Sequence, residues 1–277
     1  MPLPPGVTTV LAPNPSLLTG PGTNTYVVGD GAATCAVIDP GVDDADHLDA
    51  IVRAAGTQRI ASILITHGHE DHRGGATRLR ERTGVPVLAW SRAGTPEADA
   101  TLADGATIPL GDVTLRALHT PGHRFDHLCF WHEAAGALFA GDLVAGVGTV
   151  VIAPPEGDMA DYLASLERLL ALPRLGAILP AHGPVIEDGP ALLRQYIAHR
   201  QERERQVLAA LGAGLTTLDA IVARIYADVD PALHPVAARS VLAHLLMLEH
   251  AGMVRRGSTG DEAGPWTLAR PAGQAGG

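Results

Sequence analysis

Short apolar runs broken by turn residues fill the first 150 positions, and helical spacing takes over beyond about residue 190. Thr25-Tyr26-Val27-Val28, the turn Gly29-Asp30-Gly31 and the run from Thr34 to Ile38 read as a hairpin that Asp39-Pro40-Gly41 ends. Residues 44 to 55 carry apolar positions at helical spacing. Ile60 to Ile65 is a buried strand, and Gly74-Gly75 leads into a helix through Arg82. Val85 to Trp90 is a further strand, and two β segments fall within 106–118. LCFWHEAAGALFAGD reads as a hairpin whose second strand ends at Asp142. Asp161 to Leu172 places Leu163, Leu166, Leu169 and Leu170 on one helical face. A last short strand, Leu175 to Leu179, delivers Pro180-Ala181-His182.

The texture then changes. One long charged helix spans Ala191 to Leu211, followed by helical patterns at Leu218 to Tyr226 and Pro235 to His250. MVRRGSTGDEAGPWTLAR reads as a hairpin with a glycine-rich tip, and PAGQAGG as a loose tail. Helix, helix, hairpin is a winged-helix order. The expected domains are 1–190 and 191–277.

Composition narrows the class. Hydrophobic residues make up 46% of the 277 positions, enough for a folded core. No apolar run approaches the roughly 18 to 20 residues of a membrane span. The proline-broken start MPLPPGVTTVLAPNP has no basic region and is not a signal peptide. A cytoplasmic protein without a membrane partner is the expectation. Net charge is −10, which disfavours a general nucleic-acid coat. All 20 basic residues are arginine, so Schiff-base chemistry on lysine is excluded. Cys35 and Cys129 sit in strand-like apolar runs and form neither a disulfide framework nor a thiolate metal site.

The candidate chemistry lies at strand ends, where a rigid sheet aims loop side chains into one pocket. Ile60–Ile65 is followed by THGHEDH, which supplies His67, His69, Asp71 and His72. HTPGH supplies His123, FAGD supplies Asp142 and LPAHGP supplies His182. Taken singly, a histidine is usually structural and an aspartate after glycine a turn residue. Four strand ends in succession, each carrying imidazole or carboxylate, reverse those odds.

These motifs resemble the metallo-β-lactamase superfamily of hydrolases: HxHxDH is complete, and the later His, Asp and His follow in the family's order. GTNTYVVG, THGHEDHRGG, HTPGH with Asp126-His127, FAGD and LPAHGPVI with YIAHRQERE behind it are similar to the β-lactamase-like endoribonuclease group, which also ends in a small winged-helix-like domain. The resemblance implies an α/β protein, an αββα sandwich followed by that domain. It also implies two zinc ions, one on His67, His69 and His123, the other on Asp71, His72 and His182. Asp142 and a hydroxide would bridge them. Imidazole and carboxylate suit zinc and leave an open catalytic position. Paired cations lower the pKa of a bridging water. Aspartate at Asp142, where the lactamases often have cysteine, matches the other dinuclear hydrolases. Histidine at His69, where an iron-binding redox branch has glutamate, argues for hydrolysis.

Further candidates surround this set. Asp71 is a catalytic candidate that would hold the hydroxide by hydrogen bond, and His127 one that would contact substrate or protonate the leaving group. His119 is expected to bond its loop or a ligand, and Asn24, which could orient a loop at the pocket mouth, reads rather as a turn residue. Arg73 and Arg124 lie beside ligands and could meet a phosphate. Arg194, Arg200, Arg203 and Arg205 could form a positive strip. The leading reading is a zinc-dependent hydrolase of single-stranded RNA. The alternative is a thioester or lactone hydrolase resembling glyoxalase II, with β-lactam cleavage as a side activity. A winged-helix nucleic-acid-binding regulator with a dead hydrolase fold is the non-enzyme alternative. The C-terminal domain would serve as an RNA contact, a lid or a homodimer contact.

Overall fold

The computed structural model describes residues 3–257 and 261–269. The PAGQAGG tail and part of the glycine-rich wing tip lie outside the described residues.

Two sheets stack face to face. The first runs in order β1 (Val7–Leu11), β2 (Asn24–Gly29), β3 (Thr34–Ile38), β4 (Arg59–Leu64), β5 (Val87–Ala89) and β6 (Ala100–Thr101). The second contains β7 (Thr107–Leu110), β8 (Val113–His119), β9 (Leu128–His132), β10 (Ala137–Gly141) and β11 (Ala177–Pro180), with β11 at one edge and β7 at the other. Strands β1 and β6 escape a reading by pattern. The first is mostly half-exposed, and the second is two residues long.

Each sheet has two apolar faces because each is covered on both sides. Val28, Ile38, Leu64, Leu115, Phe130, Phe139 and Leu179 fill the space between the sheets. Val27, Val37, Ile51, Ile63 and Leu79 join the outer face of the first sheet to α1 (Ala45–Ala55) and α3 (Ala76–Thr83). The short helix α2 (Glu70–Arg73) precedes α3. Trp131, Leu138, Tyr162, Leu166, Leu193 and Tyr196 join the second sheet to α4 (Met159–Leu170) and α5 (Gly189–Gly212). The layers are therefore α, β, β, α, as expected.

The helices start where carboxylates or hydroxyls satisfy orphan amides. Asp44, Asp158 and Asp188 accept from backbone N–H groups at the starts of α1, α4 and α5. Thr217 does the same for α6 (Leu218–Ile225). The α4 leucines fall on the predicted face, with Leu166 and Leu169 buried.

The C-terminal unit consists of α6, α7 (His234–His250) and the hairpin of β12 (Val254–Arg256) and β13 (Trp266–Leu268). Val207, Leu211, Ile221, Val222, Leu245, Leu248 and the fully buried Trp266 form its core. Helix α5 serves both units: Leu193 and Tyr196 pack on the sandwich, Val207 and Leu211 on the C-terminal core. A boundary at residue 190 therefore cuts at the start of a shared helix. The Pro231–His250 segment is long and apolar enough for a membrane span by length and composition, contrary to the expectation from sequence. Here its Val241, Leu242, Leu245 and Leu248 pack into the core of the C-terminal unit.

Candidate metal centre

The seven predicted ligands converge at one end of the sandwich. His67, His69, Asp71 and His72 follow β4, and His123 lies in the loop after β8. Asp142 follows β10, and His182 follows β11. The two sheets are tied together there. Leu128 N donates to Thr66 O at 2.7 Å, and Asn24 N donates to Ala181 O at 2.7 Å. Glycine permits the tight first loop: a Cβ on Gly68 would run into the Gly94 carbonyl. Gly122, at φ +133°, lets the His123 loop lie against the Tyr162 backbone of α4.

Potential ligand atoms of His67, His69, His123 and Asp142 lie within 4.8 Å of one another, as do those of Asp71, His72 and His182. Ligands about 2.1 Å from a tetrahedral ion are separated by about 3.4 Å. The cross-distances match that span. His123 Nε2 lies 3.2 Å from His69 Nδ1 and 3.7 Å from Asp142. His182 Nε2 lies 3.3 Å from both Asp71 and Asp142. His72 Nε2 lies 3.5 Å from Asp142 and 3.7 Å from Asp71. This Nε2 is buried without a hydrogen-bond partner, an orphaned donor atom aimed at the carboxylates. Only the pair His67 Nε2 and His69 Nδ1, at 2.8 Å, is closer than two ligands of one ion prefer. The donor set therefore fits two cations, with Asp142 reaching both groups.

Electrostatics separates the two groups. Burial, reinforced by neighbouring imidazoles, holds His67 and His123 below the usual histidine range and brings His69 down to about 4. These rings stay neutral and keep lone pairs for a cation. Burial also opposes charge on His182, but hydrogen bonds to Asp142 and Asp71 push it up to about 9. Asp142 is held well below the carboxylate range: burial opposes its charge, and His72 and His182 overcome that.

The ligands are oriented from behind. His72 Nδ1 lies 2.8 Å from Asp39 Oδ2, and Asp39 Oδ1 and Oδ2 also accept from Thr66 N and Oγ1. His123 Nδ1 donates to Val151 O at 2.9 Å. Asp126, wholly buried, accepts from Gly68 N between His67 and His69, and Arg124 Nε donates to its other oxygen at 2.8 Å. Such partners fix the tautomer and aim of metal-binding rings. Asn24 belongs to this group and is not a turn residue. It lies in β2, and its Nδ2 donates to Pro180 O and Gly183 O on either side of His182.

Several sequence expectations change. His127 is fully buried; its Nδ1 meets Thr120 Oγ1 and its Nε2 accepts from Asp142 N at 3.1 Å. Both nitrogens are engaged, so His127 sets the Asp142 loop and does not face substrate. His119, by contrast, bonds Phe125 O of its own loop as expected and stacks on Trp90 at 3.6 Å. Arg73 pairs with Glu97 and Glu70, and Arg124 with Asp126 and Glu156, so neither is left for a phosphate. The positive strip does not form: Arg200 is buried against Val150 O, Arg203 lies over Tyr226, and Arg205 pairs with Glu202. The sequence assigns no role to Asp39 or Asp126: Asp39 reads as a turn residue before proline, and Asp126 only as part of the Asp126-His127 pair.

A cavity of about 820 Å³ opens over the cluster. His69, Asp71, His123, Asp142 and His182 form its floor. Leu17, Leu18, Val147, Val150 and Val151 form one wall, and Pro235, Val236 and Arg239 of α7 close it from the C-terminal unit.

Comparison with known proteins agrees with this geometry. Residues 18–182 match the metallo-beta-lactamase superfamily, and residues 217–266 match the beta-lactamase associated winged helix domain. The Drosophila melanogaster beta-lactamase-like protein 2 homolog is 33% identical over 275 residues, 91% of each chain. The Aspergillus niger lactamase-like protein adaB is 41% identical over 207 residues, covering 73% of this chain but only 62% of its own length. The atrochrysone carboxyl ACP thioesterase of Aspergillus fumigatus is 38% identical over 216 residues, 76% of this chain and 66% of that protein. Among solved structures, a beta-lactamase domain protein from Burkholderia ambifaria superposes with TM-score 0.79 at 22% identity over 97% of this chain and 93% of that one. TTHA1623, solved in a di-iron-bound form, has TM-score 0.51 at 30% identity over 61% and 92%. The chain belongs to the metallo-beta-lactamase superfamily of hydrolases, with a beta-lactamase associated winged helix domain at its C-terminal end.

Proposed function

We propose that this hydrolase cleaves acyl thioesters. The observation that carries the reading is the apolar cavity over the ligand cluster. Leu17, Leu18 and Val147 stand 93%, 71% and 77% exposed around it, a concentration of apolar surface that an acyl chain would cover. Polyanion binding rests on phosphate contacts to Arg and Lys. This cavity instead has Glu70 and Glu156 among its lining residues, and a single arginine. The same geometry weakens the RNA reading. The regulator reading loses its reading helix. Ser240 to Leu245 of α7 are buried, and the first turn of α7 faces the cavity. A similar protein named as a thioesterase supports the choice.

The residues divide the work. The apolar walls hold the acyl chain and keep bulk water from the scissile carbonyl. Cations on the two ligand groups would polarise that carbonyl and make water nucleophilic near neutral pH. Asp71, its pKa lowered despite burial by the His182 hydrogen bond, presents an ionised carboxylate on the cavity floor that can orient water. Water adds to the carbonyl carbon, the C–S bond breaks, and a carboxylic acid and a thiol leave. Nitrogen and oxygen donors accept zinc, iron or manganese alike; zinc is our reading, and the di-iron form of TTHA1623 keeps iron in the comparison.

The test is turnover by the zinc-loaded and iron-loaded protein of octanoyl thioesters, single-stranded RNA, lactones and a chromogenic cephalosporin. Preference for thioesters by at least about a hundredfold in kcat/KM supports the reading. Equal or better cleavage of RNA overturns it.

A further inference from the structure

The two glutamates among the cavity residues are already neutralised by arginines outside it. Glu70 meets Arg73 at 2.7 Å, and Glu156 meets Arg124 at 2.8 Å. Arg239 is the one arginine of the lining, and among the described residues no carboxylate pairs with it. It is exposed, so no core packing requires it. Its helix presents it to the cavity: Pro235 and Arg239 are four residues apart, on one face of α7, with Val236 beside them. The metal ligands and Arg239 thus share one cavity, with apolar walls between.

We propose that Arg239 is a specificity-determining residue that binds an anionic group, phosphate or carboxylate, at the end of the substrate remote from the scissile bond. The winged-helix domain thereby contributes directly to substrate choice. The inference rests on the thioesterase reading and refines it: the preferred substrate is apolar beside the metal ligands and anionic at the α7 wall. Two sources give that chemistry, the phosphate of a phosphopantetheine thiol arm and a carboxylate at the far end of the acyl chain. An unpaired guanidinium recognises either through forked hydrogen bonds.

The test compares the full-length, metal-loaded protein with its Arg239→Ala, Arg239→Lys and Arg239→Glu variants. The substrates are octanoyl-phosphopantetheine, a carboxyheptanoyl N-acetylcysteamine thioester and the neutral octanoyl N-acetylcysteamine thioester. The readout is the ratio of kcat/KM for each anionic substrate to that for the neutral one. A charge-assisted hydrogen bond corresponds to about a 10- to 100-fold preference. The expected result is loss of that preference in Arg239→Ala, chiefly through KM, partial retention in Arg239→Lys and inversion in Arg239→Glu. The anionic substrate whose ratio falls identifies the source. Ratios that stay within twofold in Arg239→Ala for both overturn the proposal.

If the wild type hydrolyses no thioester, the thioesterase reading fails, and binding still tests Arg239. Calorimetry with uncleavable thioethers, S-octyl phosphopantetheine, S-carboxyheptyl N-acetylcysteamine and neutral S-octyl N-acetylcysteamine, then decides. Weaker binding of an anionic thioether, relative to the neutral one, in Arg239→Ala supports the proposal. Equal binding by wild type and variant overturns it.

Discussion

Asp39 Oδ2 stands 2.8 Å from His72 Nδ1, with both side chains buried. Asp39 ends the first hairpin at φ +50°, and His72 lies in α2, the short helix just after β4, so the pair joins two neighbouring strand ends of one sheet. The carboxylate fixes the ring so that Nε2 faces Asp71 and Asp142. Asp39→Asn removes that charge at almost constant shape. Metal affinity is expected to fall about 10- to 100-fold, as read by competition with a chromophoric chelator.

The backbone between His67 and His69 has no room to move. Gly68→Ala would drive a methyl group into the Gly94 carbonyl and towards Asp126. Misplacement of a ligand by about 1 Å costs roughly a hundredfold in rate. A drop in kcat of at least that size is expected, with circular dichroism unchanged.

Trp266 anchors the wing strand in the C-terminal core, and its Nε1 donates to Glu262 O at 3.0 Å. Trp266→Ala should destabilise the protein by about 3–5 kcal/mol in denaturant unfolding.

His244 gives a pH signature from outside the ligand set. It is buried with neither ring nitrogen hydrogen-bonded, and burial, then Arg200, His199 and Arg203, pull its pKa down to about 3. The unfolded chain takes up a proton near pH ~6.5 that the folded chain refuses. Stability is therefore intact above ~6.5 and falls as the medium is acidified towards 3, by about 1.4 kcal/mol per pH unit. His244→Leu removes that proton. Thermal unfolding of the wild type should lose about 2 kcal/mol more than this variant between pH ~6.5 and ~5.

Strand-end placement made the ligands readable, because imidazoles and carboxylates that follow buried strands converge wherever the sheet brings those strand ends together. Supporting residues were less legible. Asp39, Asp126 and Asn24 act through backbone amides, backbone carbonyls or a neighbouring ring across 27 to 159 positions of chain, a separation that local pattern does not encode. The misplaced expectations share a cause. Arg73, Arg124 and Arg203 looked available because their partners, Glu97, Glu156 and Tyr226, come from other elements. Likewise the cavity draws Leu17, Val147 and Arg239 from three distant segments, so its apolar character appears only once the chain is folded.

Elemental analysis of the zinc-reloaded protein, beside its Asp142→Ala and His182→Ala variants, tests the metal centre most directly. The wild type should hold about two equivalents per chain, one for each ligand group, and each variant distinctly fewer while remaining folded. A folded wild type that binds no metal, or variants that bind as much as it does, would contradict the account.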